Sequence, residues 1–200
     1  VPLYPFFSAE KKGYSGTGII TKIKPDNVSL GMNIQKYDFE GRFLRCDFGD
    51  ISIISVYHPS GSNNERQSFK MQWLDDFTDY IINLRKSREK LIINGDFNIC
   101  RLWIDIHNPA QQQDTSGFLP EEREWFQKFI DLGFIDTFRE FNKEPHNYSW
   151  WSYRAGSKSR NKGWRIDYNI VTENLKDSLV SANIFPDIDC SDHCPVSVEI

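Results

Sequence analysis

Apolar residues recur along this chain in two alternating patterns, one typical of strands and one typical of helices. Short runs rich in β-branched residues predict strands at Thr17–Ile23, Phe43–Phe48 and Ile51–Tyr57. Between about Glu65 and Lys86 the apolar residues recur at helical spacing, which predicts a long amphipathic helix. The buried stripe of that helix is predicted to consist of Phe69, Trp73, Phe77, Ile81 and Leu84.

The second half of the chain continues the alternation. A helix is predicted to begin at Pro120, because proline suits the first helical turn, and to end at Gly133, because glycine suits the position after a helix. The pattern further predicts a short helix around Asp136–Phe141 and strands at Trp164–Val171, Leu179–Ile184 and Pro195–Ile200. Strands that alternate with helices, and that also stand at both ends, favour an α/β or α+β layered sandwich.

The stretch Leu91–Asn98 combines a buried strand with chemically capable residues. Three branched apolar residues open it, and Gly95 then allows close approach to the backbone. Asp96 and Asn98 are two residues apart, so on an extended chain both side chains point to one face. Ligands bind at such strand ends in sheets covered by helices. An Asx turn that merely closes the strand is the alternative, since these are ordinary turn residues.

Composition places the chain among globular proteins. Its 200 residues are 39% hydrophobic and 26% charged, which fits one domain with an ample core, residues 1–200. No apolar run reaches the roughly 18 residues that a membrane span needs. The start of the chain lacks the charged and apolar regions of a signal peptide. Because the first residue is Val1 rather than Met, we expect a fragment or a processed product.

The four cysteines lack the spacing of a disulfide framework. Reduced thiols and a cytoplasmic location are therefore expected. Two of the cysteines, Cys190 and Cys194, bracket Asp192 and His193. That arrangement leaves a zinc site as an alternative, although structural zinc sites usually draw a second ligand pair from elsewhere in the chain.

The net charge of −4 argues against strong non-specific binding of nucleic acid, but the distribution of charge matters more than its sum. The segment from Arg154 to Arg165 carries five positive charges and no acid; Trp150 and Trp151 precede it, and Trp164 lies near its end. We call its first four cations the basic loop: Arg154, Lys158, Arg160 and Lys162. A solvated surface loop and a nucleic-acid contact both fit this pattern.

Polar, chemically capable residues stand in or after the predicted strands at four places: Tyr57, Asp96 with Asn98, Asp167, and Asp192 with His193. Taken singly, each has a structural explanation. The tyrosine can be a half-buried strand residue, Asp167 can hold Arg165, Asp192 can close a turn, and His193 can be an ordinary loop histidine.

Taken together, these residues supply what hydrolysis requires. An imidazole can act as a base or bind phosphate near neutral pH, and a buried carboxylate such as Asp167 can orient it. Asp192 offers a hard oxygen ligand for Mg²⁺. Asp96 and Asn98 can position a water and stabilise developing charge, and Tyr57 can donate to an oxyanion. The chain has neither a serine nucleophile elbow nor a P-loop, which favours direct attack by water.

Nine blocks of sequence occur in one order along nearly the whole chain. They are Lys12–Gly16 with Gly18, Glu40–Arg42, Tyr57-His58-Pro59, Asn94-Gly95-Asp96-Phe97-Asn98, Ile104–Pro109, Gly117–Trp125, Asp136–Arg139, Gly163-Trp164-Arg165-Ile166-Asp167-Tyr168 and Ser191-Asp192-His193-Cys194-Pro195. With these blocks the chain resembles the exonuclease III and apurinic/apyrimidinic (AP) endonuclease family of the endonuclease–exonuclease–phosphatase superfamily. A single block is a weak signal, whereas many blocks in one order are a strong one.

The resemblance implies a four-layer α/β sandwich, in which two packed mixed β-sheets are flanked by helices. It implies a DNA-repair nuclease that uses Mg²⁺, or Mn²⁺ in its place, to hydrolyse phosphodiesters 5′ to abasic sites, with 3′→5′ exodeoxyribonuclease and 3′-end-cleaning activity. The expected partner is double-stranded DNA with abasic sites or blocked 3′ ends. A monomer without membrane contact is expected.

The resemblance also implies roles for individual residues. Tyr57 resembles the tyrosine that contacts the phosphate, and Asp96 the residue that activates water beside Asn98. Asp167 is expected to orient His193. The implied metal ligands are Asp96, Asn98, Asp192 and His193. The implied pocket for an extruded abasic sugar is lined by Tyr14, Trp150, Trp164, Arg165 and Ile166. The basic loop would follow the DNA backbone.

One feature departs from the family pattern. Family members begin with a strand that carries an Asn, followed by a second strand whose Glu binds the metal. Neither is found before Tyr14, where Glu10 is the only acid. We therefore expect a catalytic domain that is incomplete at its N-terminus, binds Mg²⁺ weakly and exposes an unpaired sheet edge and part of its core. The intact gene product is expected to be the enzyme, and this piece to be weak or inactive alone.

Three other functions stay open at this point. A phosphatase of inositol phosphates or a lipid phosphodiesterase of the same superfamily would share the polar residues, although the tryptophan-flanked basic loop favours DNA. A DNA-binding remnant without catalysis would fit the missing Glu. A purely structural protein fits least, because it does not account for polar groups at several strand ends.

Overall fold

The computed structural model describes residues 2–8 and 14–200. The strands are β1 (Tyr4–Ser8), β2 (Thr17–Thr21), β3 (Asn27–Leu30), β4 (Phe43–Phe48), β5 (Ile51–Tyr57), β6 (Lys90–Asp96), β7 (Phe134–Asp136), β8 (Asp167–Thr172), β9 (Ser181–Ile184) and β10 (Val196–Glu199). The α-helices are α1 (Gln35–Asp38), α2 (Asn64–Leu84), α3 (Pro120–Asp131) and α4 (Thr137–Phe141). Glu10, Lys12 and Gly13, which the sequence analysis names, lie outside the described residues.

Six strands form one mixed sheet in the order β3-β4-β5-β6-β8-β7. The central pair β5 and β6 is parallel, and the other neighbours are antiparallel. The parallel pair is joined by α2, since a parallel connection needs a crossover that is usually a helix. The carboxyl ends of β5 and β6 therefore lie side by side, next to the start of β8.

One face of this sheet is covered by helices. Apolar residues of α2 and α3, including Trp73, Phe77, Phe126 and Phe129, pack with Ile54, Val56 and Ile93 in one buried cluster. The alternation of side chains along a strand sends Ile51, Ile53 and Ile92 to the opposite face, where they pack near Val198 of β10.

Two antiparallel strand pairs, β1 with β2 and β9 with β10, lie against that second face. Between them is an open groove of about 570 Å³. Its apolar lining includes Ile23, Ile51, Ile53, Ile92 and Val198. The second face is therefore covered by two separate strand pairs rather than by one continuous sheet over the described residues.

The predicted α/β class, with mixed sheets flanked by helices, is confirmed. The bounds of β4 and β5 agree with the prediction, and α2 and α3 differ from theirs by one or two residues. The segment of residues 100–117, between β6 and α3, contains two single-turn 3₁₀ helices. None of the described helices is long and apolar enough to cross a bilayer.

Several short elements were not predicted. These are β1, β3, α1 and β7, each of three to five residues. Such lengths are too short to show a clear period. The prediction that β8 begins at Trp164 was wrong, since the strand begins at Asp167. Trp164 instead pairs with Trp150 in an isolated bridge, and the N–H of Arg165 donates to the carbonyl of Asp105.

Candidate active site

Strand register brings three sequence-distant polar residues to one level of the sheet. Tyr57 of β5 pairs with Asp96 of β6, and Asp96 pairs with Asp167 of β8. All three line an open depression of about 440 Å³, together with His193. The loop before β2 contributes Gly16 to the rim of this depression.

Gly95 makes the pairing of β5 and β6 possible at this level. Its φ is +148°, a conformation that side chains rarely adopt. A Cβ at this position would stand 1.8 Å from the carbonyl oxygen of Val56, which is a backbone atom of the neighbouring strand. The glycine therefore lets the two strands stay paired up to Asp96, as the sequence analysis expected for a close backbone approach.

Asp96 and Asn98 form a tight, hydrogen-bonded turn. The backbone N–H of Asn98 donates to Oδ1 of Asp96 at 2.7 Å, and its amide nitrogen donates to Oδ2 at 3.1 Å. The same amide nitrogen donates to the carbonyl of His58 at 2.9 Å. Asn98 has a φ of +51°, in the left-handed region that asparagine tolerates better than most residues. These hydrogen bonds therefore fix the side chains of both Asp96 and Asn98 in defined positions.

The carboxylate of Asp167 holds His193. Nδ1 of His193 lies 2.9 Å from Oδ2 of Asp167, and the hydroxyl of Ser149 donates to the same oxygen at 2.7 Å. Burial works against a charge on the imidazole, but the hydrogen bond and charge of Asp167, with the charges of Asp96 and Asp192, outweigh it and raise the pKa of His193 to about 9. His193 is therefore an imidazolium at neutral pH in the metal-free protein.

The surroundings of Asp96 favour the protonated form of its carboxyl group. Burial raises its pKa first, and the negative charge of Asp167 adds to this, so the pKa of Asp96 is about 7 despite the opposing charge of His193. Burial and the charge of Asp96 likewise raise the pKa of the Tyr57 phenol. Tyr57 therefore keeps its proton near neutral pH and can donate a hydrogen bond. Arg42 lies 4.8 Å from the centre of its ring.

The carboxylate of Asp192 is bound by Trp150 rather than by His193. Its Oδ2 accepts a hydrogen bond from the indole nitrogen of Trp150 at 2.9 Å, and the hydroxyl of Ser191 lies 3.1 Å from Oδ1. Burial opposes ionisation, but these hydrogen bonds outweigh it and lower the pKa of Asp192. Asp192 is thus an ionised carboxylate that ties the loop of His193 to the tryptophan.

The side chains fit a metal that keeps water ligands better than they fit a metal enclosed by protein. Over residues 2–8 and 14–200, no three His, Cys, Asp or Glu side chains stand close enough to hold an ion. This supports neither the zinc alternative at Cys190 and Cys194 nor a cluster of the predicted ligands Asp96, Asp192 and His193. Burial first, and then the negative charge of Asp167, raise the pKa of Asp96, so a nearby cation would favour the ionised form of this carboxylate. Mg²⁺ typically binds through one or two carboxylates, waters and substrate phosphates.

The structure brings together only some of the residues predicted to line the abasic pocket. Trp150 and Trp164 are half-buried and meet edge to face, with ring centres 5.9 Å apart. Ile166 is 5% exposed and packs beneath them with Cys100, Ile106 and Phe118, so it supports the two rings from below. Tyr14 is half exposed and lies near Tyr57.

The prediction that Arg165 lines this pocket was wrong. Its side chain is 1% exposed and is paired with two buried carboxylates, Asp105 and Asp136. Arg139 also pairs with Asp105, and Arg101 with Asp136. The proposed structural contact between Asp167 and Arg165 is replaced by the pair of Asp167 with His193. The guanidinium thus lies in the core, where its ion pairs stabilise the segment that carries Trp164 and Ile166.

The basic loop lies on the surface. Arg154, Arg160 and Lys162 are exposed. Lys158 is half-buried, pairs with Asp189 at 2.9 Å and lies 5.4 Å from the ring centre of Trp151. Three cations of the loop therefore face solvent, while the fourth is held by an acid of the loop before β10.

Sequence reasoning did not identify two buried charged residues under the site. Lys70 of α2 and Glu122 of α3 form an ion pair of 2.6 Å directly behind the Asp96–Asn98 turn. A signal was present in the sequence. Lys70 stands three residues before Trp73 and seven before Phe77, so it falls on the buried face of α2, where an unpaired lysine would be costly.

Comparisons with known proteins identify the family of the chain. A sequence model described as the Endonuclease/Exonuclease/phosphatase family matches residues 2–193. The chain belongs to this family. It is 41% identical over 194 residues to an exodeoxyribonuclease of Bacillus subtilis, covering 96% of this chain and 77% of the relative. It is 35% identical over 202 residues to a DNA-(apurinic or apyrimidinic site) endonuclease of Dictyostelium discoideum, covering 98% of this chain and 56% of that relative.

Solved structures of family members share the fold. A 3′ phosphatase from Neisseria, bound to product DNA hairpin, matches with a TM-score of 0.90 at 26% identity, over 98% of this chain and 79% of the other. The predicted resemblance to the exonuclease III and AP endonuclease family is confirmed. The chain spans about three quarters of one curated relative and less than two thirds of the other.

Proposed function

We propose that this chain carries the catalytic centre of a DNA-repair nuclease that hydrolyses phosphodiester bonds 5′ to abasic sites in double-stranded DNA. The proposal includes 3′→5′ exonuclease and 3′-end-cleaning activity. The observation that carries it is the register of Tyr57, Asp96 and Asp167, which gathers three polar groups and His193 around one depression. The names of the relatives supply the class of substrate.

The residues of the depression can divide the work of hydrolysis. The carboxylate of Asp96, which lies between Tyr57 and Asp167 at one level of the sheet, can accept the proton of an attacking water. Asn98 fixes that carboxylate through two hydrogen bonds. His193, held as an imidazolium by Asp167, can stabilise negative charge on the phosphate, and the Tyr57 phenol can donate to a phosphate oxygen.

Mg²⁺ is the proposed metal, with Mn²⁺ as a substitute. Asp96 and Asp192 would be its carboxylate ligands, with Asn98 and His193 beside them. When bound, the ion would neutralise charge on the phosphate and polarise the scissile bond. The chain's own residues bind and orient the substrate, and Asp192 keeps the His193 loop against Trp150 through the indole hydrogen bond.

DNA would approach over the two tryptophans and the basic loop. Exposed Arg154, Arg160 and Lys162 supply charge for the phosphate backbone. Trp150 and Trp164 offer apolar faces for a sugar that has no base to unstack. We further propose that residues 1–200 belong to one catalytic domain and that the protein is a monomer in the cytoplasm; the family model matches residues 2–193.

A second candidate is an enzyme that releases 3′-phosphate from DNA ends but does not nick DNA at abasic sites. The observation that favours it is the likeness to a structure described as a 3′ phosphatase bound to product DNA hairpin. The same depression would serve both reactions, since each is attack of water on a phosphorus atom. The two substrates must therefore be tested in parallel.

The test is cleavage of a labelled duplex with one tetrahydrofuran abasic mimic, beside a nicked duplex with a 3′-phosphate, in Mg²⁺ and in EDTA. The chain is compared with Asp192→Ala, His193→Ala and the control Glu124→Ala, whose carboxylate lies exposed on α3. We expect a Mg²⁺-dependent nick 5′ to the mimic, lost in the two site variants and kept in the control; this nick should be slow, because the sequence shows no counterpart of the metal-binding Glu of the family.

Other outcomes discriminate between the alternatives. Release of phosphate without nicking would replace the endonuclease by the phosphatase. Binding of the abasic duplex without cleavage, measured by fluorescence anisotropy, would support a DNA-binding remnant. Equal cleavage by the His193→Ala variant and the unsubstituted chain would refute the assignment of the site.

A further inference from the structure

A lysine ammonium lies in the core, behind the active-site turn. Lys70 is 0% exposed, although its helix α2 is otherwise apolar on this face. Its Nζ donates to the carbonyl oxygen of Asn98 at 2.9 Å and to Oε1 of Glu122 at 2.6 Å. The ammonium of Lys70 thus contacts the backbone of the turn that carries Asp96, whose side chain lines the depression of the candidate active site.

Glu122 extends this contact to the loop before α3. It is 0% exposed, and its Oε2 accepts the backbone N–H groups of Gly117 at 2.6 Å and Leu119 at 3.0 Å. The carbonyl of Gly117 in turn accepts the N–H of Cys100 at 2.7 Å. The ion pair therefore holds two parts of the segment between β6 and α3. One is the turn Asp96–Asn98, which we call the Asn98 turn, and the other is residues 117–119, which we call the Gly117 loop.

The Gly117 loop leads on to the tryptophan pocket. A Cβ on Gly117 would stand 2.7 Å from the ring of Trp164, so the backbone passes directly beside that indole. The position of the Gly117 loop therefore sets the position of one wall of the candidate sugar pocket. The ion pair is connected both to the turn of Asp96 and to this wall.

Stability alone does not account for such a pair. Replacing a buried ion pair by apolar residues of similar volume is often neutral or stabilising, because both charges must be removed from water. A shallow polar depression of about 140 Å³, lined by Ser60, Ser62 and Ser116, also opens beside Lys70 and Asn98. Without the ammonium, the carbonyl of Asn98 would face this depression, where water can bind it and the turn can rotate.

We propose that Lys70 is a positioning residue, which holds the Asn98 turn through its carbonyl and, through Glu122, the Gly117 loop against Trp164. This inference rests on the proposed function for its effect on catalysis, but its structural half stands independently. The amide of Asn98 is fixed from one side by His58 and Asp96, and its carbonyl is fixed from the other by Lys70. Both ends of the residue are then restrained.

The test separates positioning from stability by means of four variants. Lys70→Met removes the ammonium and leaves Glu122 unpaired in the core. Lys70→Met/Glu122→Gln removes both charges and keeps an amide oxygen for the N–H of Gly117. Lys70→Arg keeps a donor for Asn98. Lys128→Met, which removes one partner of an exposed pair on α3, is the control.

Three experiments are made on each variant. Urea unfolding gives the free energy of unfolding, kinetics on the abasic duplex give kcat and KM, and NMR gives the ¹H–¹⁵N resonances of Asn98 and Gly117. We expect Lys70→Met to lose stability and the double variant to regain it. In both, kcat should fall by about 100-fold with KM changed by less than about twofold, because the turn is misplaced while the DNA-binding surface stays intact. Lys70→Arg should restore part of kcat, and Lys128→Met should match the unsubstituted chain.

The outcomes that oppose the inference are distinct from failure of the proposed function. Recovery of kcat together with stability in the double variant would show a purely structural pair and overturn the inference. Unchanged Asn98 and Gly117 resonances in Lys70→Met would do the same. If the unsubstituted chain cleaves no DNA, the proposed function fails, while the resonances of these two residues still decide whether Lys70 fixes the turn.

Discussion

Nδ1 of His193 lies 2.9 Å from the carboxylate of Asp167, and the hydroxyl of Ser149 donates to the same carboxylate oxygen. Asp167 starts β8, whereas His193 lies 26 residues further on, in the loop before β10. The contact therefore fixes a loop residue to the sheet. It also leaves Nε2 as the ring nitrogen that is free of Asp167.

Substitution of Asp167 by Asn should uncouple this pair. The amide keeps the shape of the carboxylate but loses its charge, which is a main cause of the raised pKa of His193. We expect the pKa of His193 to fall from about 9 towards the ordinary value near 6.5. NMR titration of the imidazole measures this, with Asp189→Asn as a control. A pKa that stays near 9 would contradict the assigned cause.

The same substitution should slow DNA cleavage. Loss of a positioned, charged imidazole typically costs about 10² to 10⁴ in rate. We expect kcat of Asp167→Asn to fall within this range while binding of the abasic duplex in EDTA is kept. A loss of binding without a change in kcat would show that Asp167 acts on the DNA surface instead.

The stability of the metal-free protein should fall with rising pH. The folded-state pKa of His193 is about 9, above the unfolded value near 6.5, so its stabilisation is complete below pH 6.5 and is lost as the pH rises through 9. Asp96 contributes with the same sign, since its folded pKa of about 7 exceeds the unfolded value of 3.8; its share is lost between these values.

Urea unfolding in EDTA at several pH values between 6 and 9 checks this. The free energy of unfolding should decrease over this interval in the unsubstituted chain and change less in His193→Gln. A free energy that is constant or rises with pH in the unsubstituted chain would contradict the predicted linkage.

The basic loop should contribute to DNA affinity in a salt-dependent way. Removal of one phosphate-binding cation should reduce the slope of log K against log salt by about 0.9 for duplex DNA. We expect Arg154→Ala and Arg160→Ala each to weaken binding and lower the slope by about this amount. Lys128→Ala, on the exposed face of α3, is the matched control. Equal slopes in all three variants would place the DNA elsewhere.

Gly95 should be the glycine that tolerates substitution least. Its added Cβ meets the carbonyl of Val56 at 1.8 Å, and its φ is +148°. We expect Gly95→Ala to lose more than about 3 kcal/mol of unfolding free energy, or not to fold. Gly49→Ala is the control: it shares a positive φ, but nothing lies within 4 Å of its Cβ, so a cost of about 1 kcal/mol is expected.

The sequence by itself determined the local elements and the chemical candidates. The apolar periods located β4, β5, β6 and the two long helices, because side-chain period is a local property of the backbone. Ordered blocks such as Asn94–Asn98 indicated the family, which the comparisons confirmed. Short elements such as β3 and β7 escaped, since three or four residues carry no period.

Only the tertiary structure decided which residues meet. Tyr57, Asp96 and Asp167 share one level because β5, β6 and β8 pair in a particular register, and register depends on contacts between distant segments. The same cause explains the error over Arg165. The resemblance implied that it lines the sugar pocket, but two buried carboxylates from other elements compensate its charge and let it lie in the core.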